Sequence, residues 1–237
     1  TGDWLHTDTI ANYGWFGGGF PGPVATVDRI DFSNDLATAI ARGSLSSARD
    51  SLAATGNSNY GWFGGGTAPG SRSTVDRIDF SNDSATATAR GQLSAVRSSL
   101  AATGNSNYGW FGGGVSPGPT TVSTVDRIDF SNDSATASVR GSLSSARNSL
   151  TSTGNSNYGW FGGGVIPTPA VLSTVDRIDF SNDSATASPR SPLSSARQSL
   201  AATGNSNFGW FAGGFTTTPV ITVDRIDFSN DSSTALI

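Results

Sequence analysis

Fifteen of the eighteen carboxylates in this chain fall in one motif, Val-Asp-Arg-Ile-Asp-Phe-Ser-Asn-Asp, which begins at Val27, Val75, Val125, Val175 and Val223. Clustered aspartate oxygens suit a hard cation such as calcium, provided that they converge. They do not converge on a strand, because Asp76 and Asp79 stand three apart and side chains alternate faces. The same parity puts Arg77 and Asp79 on one face. It predicts a repeated ion pair, Arg29–Asp31, Arg77–Asp79, Arg127–Asp129, Arg177–Asp179 and Arg225–Asp227, with a structural role. Ser81-Asn82-Asp83 and its copies read as turns closed by side-chain bonds to nearby backbone. No metal site and no cofactor are expected.

A second set of residues has the chemistry of a sugar site. Asn57, Asn59, Tyr60 and Trp62 recur as Asn105, Asn107, Tyr108 and Trp110, as Asn155, Asn157, Tyr158 and Trp160, and as Asn205, Asn207 and Trp210. An indole stacks on the apolar face of a pyranose while amides meet its hydroxyls. The competing reading is that Trp and Tyr pack one repeat against the next. A glycine before each Trp, and small residues after the following Phe, leave room for a neighbour to close over the ring. The indoles are therefore expected to be buried.

Catalysis has few candidates. The one histidine is His6, and the chain has no cysteine, lysine or glutamate. A histidine-assisted nucleophile would have to occur once in a fivefold chain. The Gly64-Gly65-Gly66 run is no phosphate loop, since no helix follows it. The chain reads as no enzyme. Its net charge of −4 also argues against binding a phosphate backbone.

These motifs need a frame that repeats with them. The aromatic motif starts at Tyr13, Tyr60, Tyr108, Tyr158 and Phe208, giving spacings of 47, 48, 50 and 50 residues. About fifty residues is the length of a four-stranded propeller blade. Within one unit, β-prone runs alternate with Gly and Asn/Asp turn signals, and no stretch carries a helical period. In the second unit the predicted strands are 51–55, 59–65, 74–80 and 85–90. The small first strand, with Leu52-Ala53-Ala54, suits the crowded axis of a ring.

The chain thus reads as a single all-β domain, a five-bladed β-propeller. Each blade has four antiparallel strands from contiguous sequence, over approximately 3–42, 49–90, 97–140, 147–190 and 197–237. Counting round the ring, the closing unit holds 42 residues and lacks the connector Arg-Gly-x-Leu-Ser-x-Ala-Arg found at Arg42 and Arg140, at Arg90 with Val96 for the alanine, and at Arg190 as Arg-Ser-Pro-Leu. The break is expected between a fourth and a first strand, with Leu5 standing where Leu52 stands.

The unit resembles a kelch repeat. The features that carry the likeness are the double glycine after an aromatic second strand (Gly64-Gly65), the acidic third strand (Asp76 to Asp79) and an arginine after a Leu-Ser connector (Leu93, Arg97). It departs from that family in the fourth strand, where Ala-Thr-Ala replaces a tryptophan. It is most similar to kelch-like repeats in large structural proteins of marine cyanobacterial phages. That resemblance implies a component of a virion or tail fibre, located on the particle or outside the cell.

Strand direction sorts the loops. The Thr-Gly-Asn-Ser-Asn and Ser-Asn-Asp turns share one face of the disc. The Pro/Gly loops and the connectors share the other, and that face carries most of the blade-to-blade differences. Exposed apolar loops of this kind serve as contact surfaces. The expected partners are other virion or surface proteins, and glycans, with no nucleic acid. No run approaches the ~20 apolar residues of a membrane span, and the N-terminus lacks the regions of a signal peptide. Three functional readings stay open: a structural or adhesive module, a multivalent carbohydrate-binding lectin with five near-equal sites, and a scaffold engineered from a natural blade.

Overall fold

The computed structural model describes residues 12–168 and 170–237. Five small antiparallel sheets follow one another along the chain as the blades of a β-propeller. In blade 2 the strands Ala53–Gly56, Tyr60–Gly64, Val75–Asp79 and Thr88–Ala89 lie side by side in sequence order. Blades 3 and 4 repeat this order. In blade 5, Leu236 pairs with Arg225 outside the third strand, and blade 1 shows its second to fourth strands. The reading of Leu5 as part of blade 1's inner strand, and His6 with it, lies outside the described residues.

Why these residues make strands is visible in the pairing. Trp62 lies opposite Arg77 and Phe63 opposite Asp76, so the aromatic residues of the second strand stand opposite charged residues of the third. Helix is confined, among the described residues, to single 3-10 turns at Phe80–Asn82, Phe130–Asn132 and Phe180–Asn182. No helix of the described residues is long and apolar enough to cross a membrane.

Among the described residues the core is not one mass but four clusters, each between successive blades. Between blades 2 and 3 it holds Trp62 and Val75 from one side, Phe111 and Ile128 from the other, and Leu93 from the connector as a plug. Full burial of side chains this size contributes roughly 1.5–3 kcal/mol each. The blades are therefore held by their neighbours. A glycine sets how closely they approach: a Cβ on Gly64 would lie 2.7 Å from the ring edge of Phe111.

At the axis, the start of each inner strand of blades 2 to 5 turns sharply. Ser51, Ser99, Ser149 and Ser199 have φ of 53–54°, in the left-handed region. The Ser99 N–H donates to the Ser51 carbonyl (2.8 Å), Ser149 to Ser99 (3.0 Å) and Ser199 to Ser149 (2.8 Å). These serines and the leucines after them line an axial cavity of about 160 Å³.

Candidate functional site

Most of the repeated charges and indoles meet at the blade interfaces. Asp133 of blade 3 accepts the indole N–H of Trp62 at 2.8 Å, an Arg77 nitrogen at 3.0 Å and Arg90 Nε at 2.7 Å, all from blade 2. Phe130, from the same blade as Asp133, stacks on Trp62 with centroids 3.8 Å apart and planes 5° apart. Asp83, Asp183 and Asp231 hold Trp15, Trp110 and Trp160 in the same way, each at 2.9 Å. Burial pushes the Asp133 carboxyl up, but Arg90, Trp62 and Arg77 outweigh it and hold it below the ordinary carboxylate value.

This corrects the expected ion pairs. Arg29, Arg77, Arg127 and Arg177 do not bridge to Asp31, Asp79, Asp129 and Asp179 of their own strands. They lie over the rings of Tyr13, Tyr60, Tyr108 and Tyr158, 4.2–4.4 Å from the centroids, and reach the aspartate of the following blade at 3.0 Å. Arg225 lies over Phe208, 4.8 Å from its centroid. Two same-face side chains on one strand are set two residues apart, so a long guanidinium is better placed to span the gap between sheets.

Asp79 has another use. It accepts from the Ser81 hydroxyl at 2.6 Å and the Ser81 N–H at 2.9 Å, closing the turn, and these bonds lower its carboxyl below the ordinary value. Asp31, Asp129, Asp179 and Asp227 do likewise with Ser33, Ser131, Ser181 and Ser229. The turn forms as expected, but Asp83 and its copies are not its closing side chains.

A second ionic site was not visible in the sequence. Arg49, Arg97, Arg147 and Arg197 are wholly buried and pair with Asp76, Asp126, Asp176 and Asp224, also wholly buried, at 2.6–2.9 Å. The Arg49 guanidinium also donates to the carbonyls of Phe63, Gly65 and Thr74, and the Ser46 N–H and hydroxyl donate to Asp76. The connector thus grips the blade that follows. Burial pushes the Arg49, Arg97 and Arg147 guanidinium groups down, and their aspartates oppose it. The available signal was that a Leu-Ser-x-x-Arg segment recurs ahead of four of the five strand aspartates, those of blades 2 to 5.

The sugar-site residues divide. Trp62, Trp110 and Trp160 are wholly buried, each between a carboxylate and a phenyl ring, so none can stack on a ligand; Trp210 is half-buried. The amide oxygen of Asn57 accepts the N–H groups of Asn59 and Tyr60, and its nitrogen donates to the Ser106 carbonyl of the next blade at 3.3 Å. Asn105 and Asn155 repeat all three bonds. Asn205 caps the same turn. These amides build turns and link blades. The side chains of Asn59, Asn107, Asn157 and Asn207 stay exposed on that face.

On the opposite face the Pro/Gly loops lie beside the connectors, as the Arg97 N–H bond to the Arg72 carbonyl shows. They carry exposed apolar groups, with Phe20 78% and Phe215 41% accessible. The molecule is thus a propeller whose shared polar residues hold it together and whose dissimilar residues face solvent. No protein-family model matches the chain, and no curated protein is detectably similar to it.

Proposed function

We propose that the chain is a non-enzymatic structural or adhesive module that contacts its partners through the Pro/Gly loop face. One observation carries this reading: most indoles, guanidinium groups and carboxylates common to the blades are spent on packing, while the side chains that differ most from blade to blade lie in the Pro/Gly loops, where Phe20 and Phe215 are exposed. Surface apolar groups that hold no fold together fit a contact surface. The resemblance to phage repeats extends the proposal to a virion or tail-fibre component whose partners are virion or cell-surface proteins.

The test is binding of the labelled protein to intact marine cyanobacterial cells, alongside a variant with Phe20→Ser and Phe215→Ser. Loss of binding with an unchanged melting temperature supports the loop face. Absent binding, or binding indifferent to the two substitutions, refutes the adhesive form of the proposal.

A glycan-binding reading keeps one supporting observation, the exposed amides of Asn59, Asn107, Asn157 and Asn207 spaced around the other face. Weak sites so repeated gain by multivalency. Glycan-array binding lost on changing these four residues to Ala supports it, and an empty broad array leaves it without support.

A further inference from the structure

Four triplets on the turn face carry a pattern that the packing of the ring uses only in part. Asn82-Asp83-Ser84 recurs as Asn132-Asp133-Ser134, Asn182-Asp183-Ser184 and Asn230-Asp231-Ser232, each an asparagine two places before a serine with no proline between them. That is the acceptor pattern for N-linked glycosylation. No other asparagine of the chain has serine or threonine two places on, and blade 1 carries Asn34-Asp35-Leu36 instead.

The fold treats the three residues of each triplet differently. The aspartate turns inward: Asp83, Asp133, Asp183 and Asp231 are 3–7% accessible and hold the indoles of the preceding blades. The asparagine and serine on either side of it are exposed. In three copies the asparagine ends the single 3-10 turn, so a buried carboxylate anchors the turn from within while the amide stays outside. The serine hydroxyl donates to the asparagine amide oxygen at 3.3 Å in all four copies, which keeps both groups on the same exposed side. The amide nitrogens make no hydrogen bond among the described residues.

We infer that Asn82, Asn132, Asn182 and Asn230 are acceptors of N-linked sugar when the chain passes through a secretory lumen, and that the folded ring carries these glycans together on its turn face. The co-reactant is an oligosaccharide linked to a lipid pyrophosphate. A bond forms from the amide nitrogen to the anomeric carbon, the bond from that carbon to the pyrophosphate oxygen breaks, the lipid pyrophosphate leaves, and the nitrogen gives up one proton. The ring has room for the product because the N–H replaced is exposed and holds nothing in place. Phe80, Phe130, Phe180 and Phe228 donate their N–H groups to the carbonyls of Asn59, Asn107, Asn157 and Asn207 at 2.9–3.0 Å. Each glycan therefore stands beside one of the exposed amides of that face and covers it, while the Pro/Gly loop face stays bare. The inference needs only the turn face and does not rest on the contact function proposed above.

The test is cell-free translation of the full chain behind a cleavable secretory leader, with microsomes as the source of lipid-linked oligosaccharide. Leader cleavage scores entry, and gel mobility before and after peptide N-glycosidase scores glycan. The glycosidase converts each occupied asparagine to aspartate, which mass spectrometry locates. Glycan is expected at the four asparagines and at none of the others. Changing Ser84, Ser134, Ser184 and Ser232 to Ala should abolish it, changing the same four to Thr should keep it, and Ser84→Ala alone should clear Asn82 only. Processed chains without glycan overturn the inference, as does glycan that survives the fourfold change to Ala. For the folded ring, protein secreted from a eukaryotic cell line should melt at the same temperature before and after deglycosylation. A glycosylated chain that fails to fold where the bare chain folds overturns that half of the inference.

Discussion

Replacing Arg97 with Met tests whether the connectors lock the blades. The Arg97 guanidinium lies 2.6 Å from Asp126 and donates to the carbonyls of Thr124 at 2.8 Å, Gly113 at 3.1 Å and Phe111 at 3.4 Å. Both charged side chains are essentially inaccessible to solvent. Methionine fills much of the volume but leaves a buried carboxylate whose remaining support is the Ser94 N–H at 2.9 Å. Breaking a buried pair from one side costs about 3–5 kcal/mol. At roughly 2–4 °C per kcal/mol for a domain of this size, the melting temperature should fall by about 6–20 °C. Adding Asp126→Leu removes the stranded charge but leaves the carbonyls bare. The double variant should recover only in part, to about 1–3 kcal/mol below the parent. Urea unfolding of the parent, both single variants and the double variant gives the coupling energy directly. If Arg97→Met unfolds within 1 kcal/mol of the parent, the reasoning fails, since the carboxylate would have to be solvated or protonated at little cost.

Other outcomes follow from the same interfaces. Trp62→Ala should cost about 3–5 kcal/mol, whereas Trp210→Ala, at a half-buried indole without a carboxylate partner, should cost clearly less; equal losses would contradict the difference between the interfaces. Gly64→Ala should destabilise by forcing Phe111 away, while Ala212→Gly should leave the Phe211 side of blade 5 intact, and thermal melts of both variants check this. In acid, carboxyls such as Asp79 and Asp129, held below their ordinary value of about 3.9 by Ser81 and Ser131, contribute stability that is present above that value. It is lost as pH falls through the lower folded-state value. Melting temperature should therefore be flat between about pH 5 and 8 and drop below about pH 4. Changing Ser81, Ser131 and Ser181 to Ala should shallow that drop, and an unchanged acid limb would count against the turn bonds as its cause.

The blades, their strands and the burial of the tryptophans are readable in the sequence because each depends on short-range pattern. Period-2 alternation puts Tyr60 and Trp62 on one face, and the glycines beside them announce a close neighbour. The polar network was not readable for a physical reason. Strand parity says which side of its own sheet Arg77 faces, but its partner Asp133 lies 56 positions along the chain, on another blade. Parity made Asp79 the nearest candidate, and the serine two residues on claims that carboxylate instead. Nothing local to Arg49 reveals that three carbonyls and a carboxylate enclose its head. The exposed amides were legible, and so were the dissimilar loops, because neither depends on a distant residue.

At four interfaces the indole–carboxylate bond runs in one direction, from the earlier blade to the later one. Blades 1 to 4 therefore each present the same plug to the same socket on the blade that follows. Nothing in the contact between blades 2 and 3 distinguishes it from that between blades 3 and 4, so recognition alone cannot tell a correct neighbour from an incorrect one. The order of the ring is stored in the covalent chain, and chiefly in the shortness of the connectors, which bring one plug to one socket before any other can arrive. Such interchangeability exposes a chain to exchange of blades between molecules wherever folding is slow or crowded. It also means that a unit added or removed as a whole would find its place without any change to the residues around it.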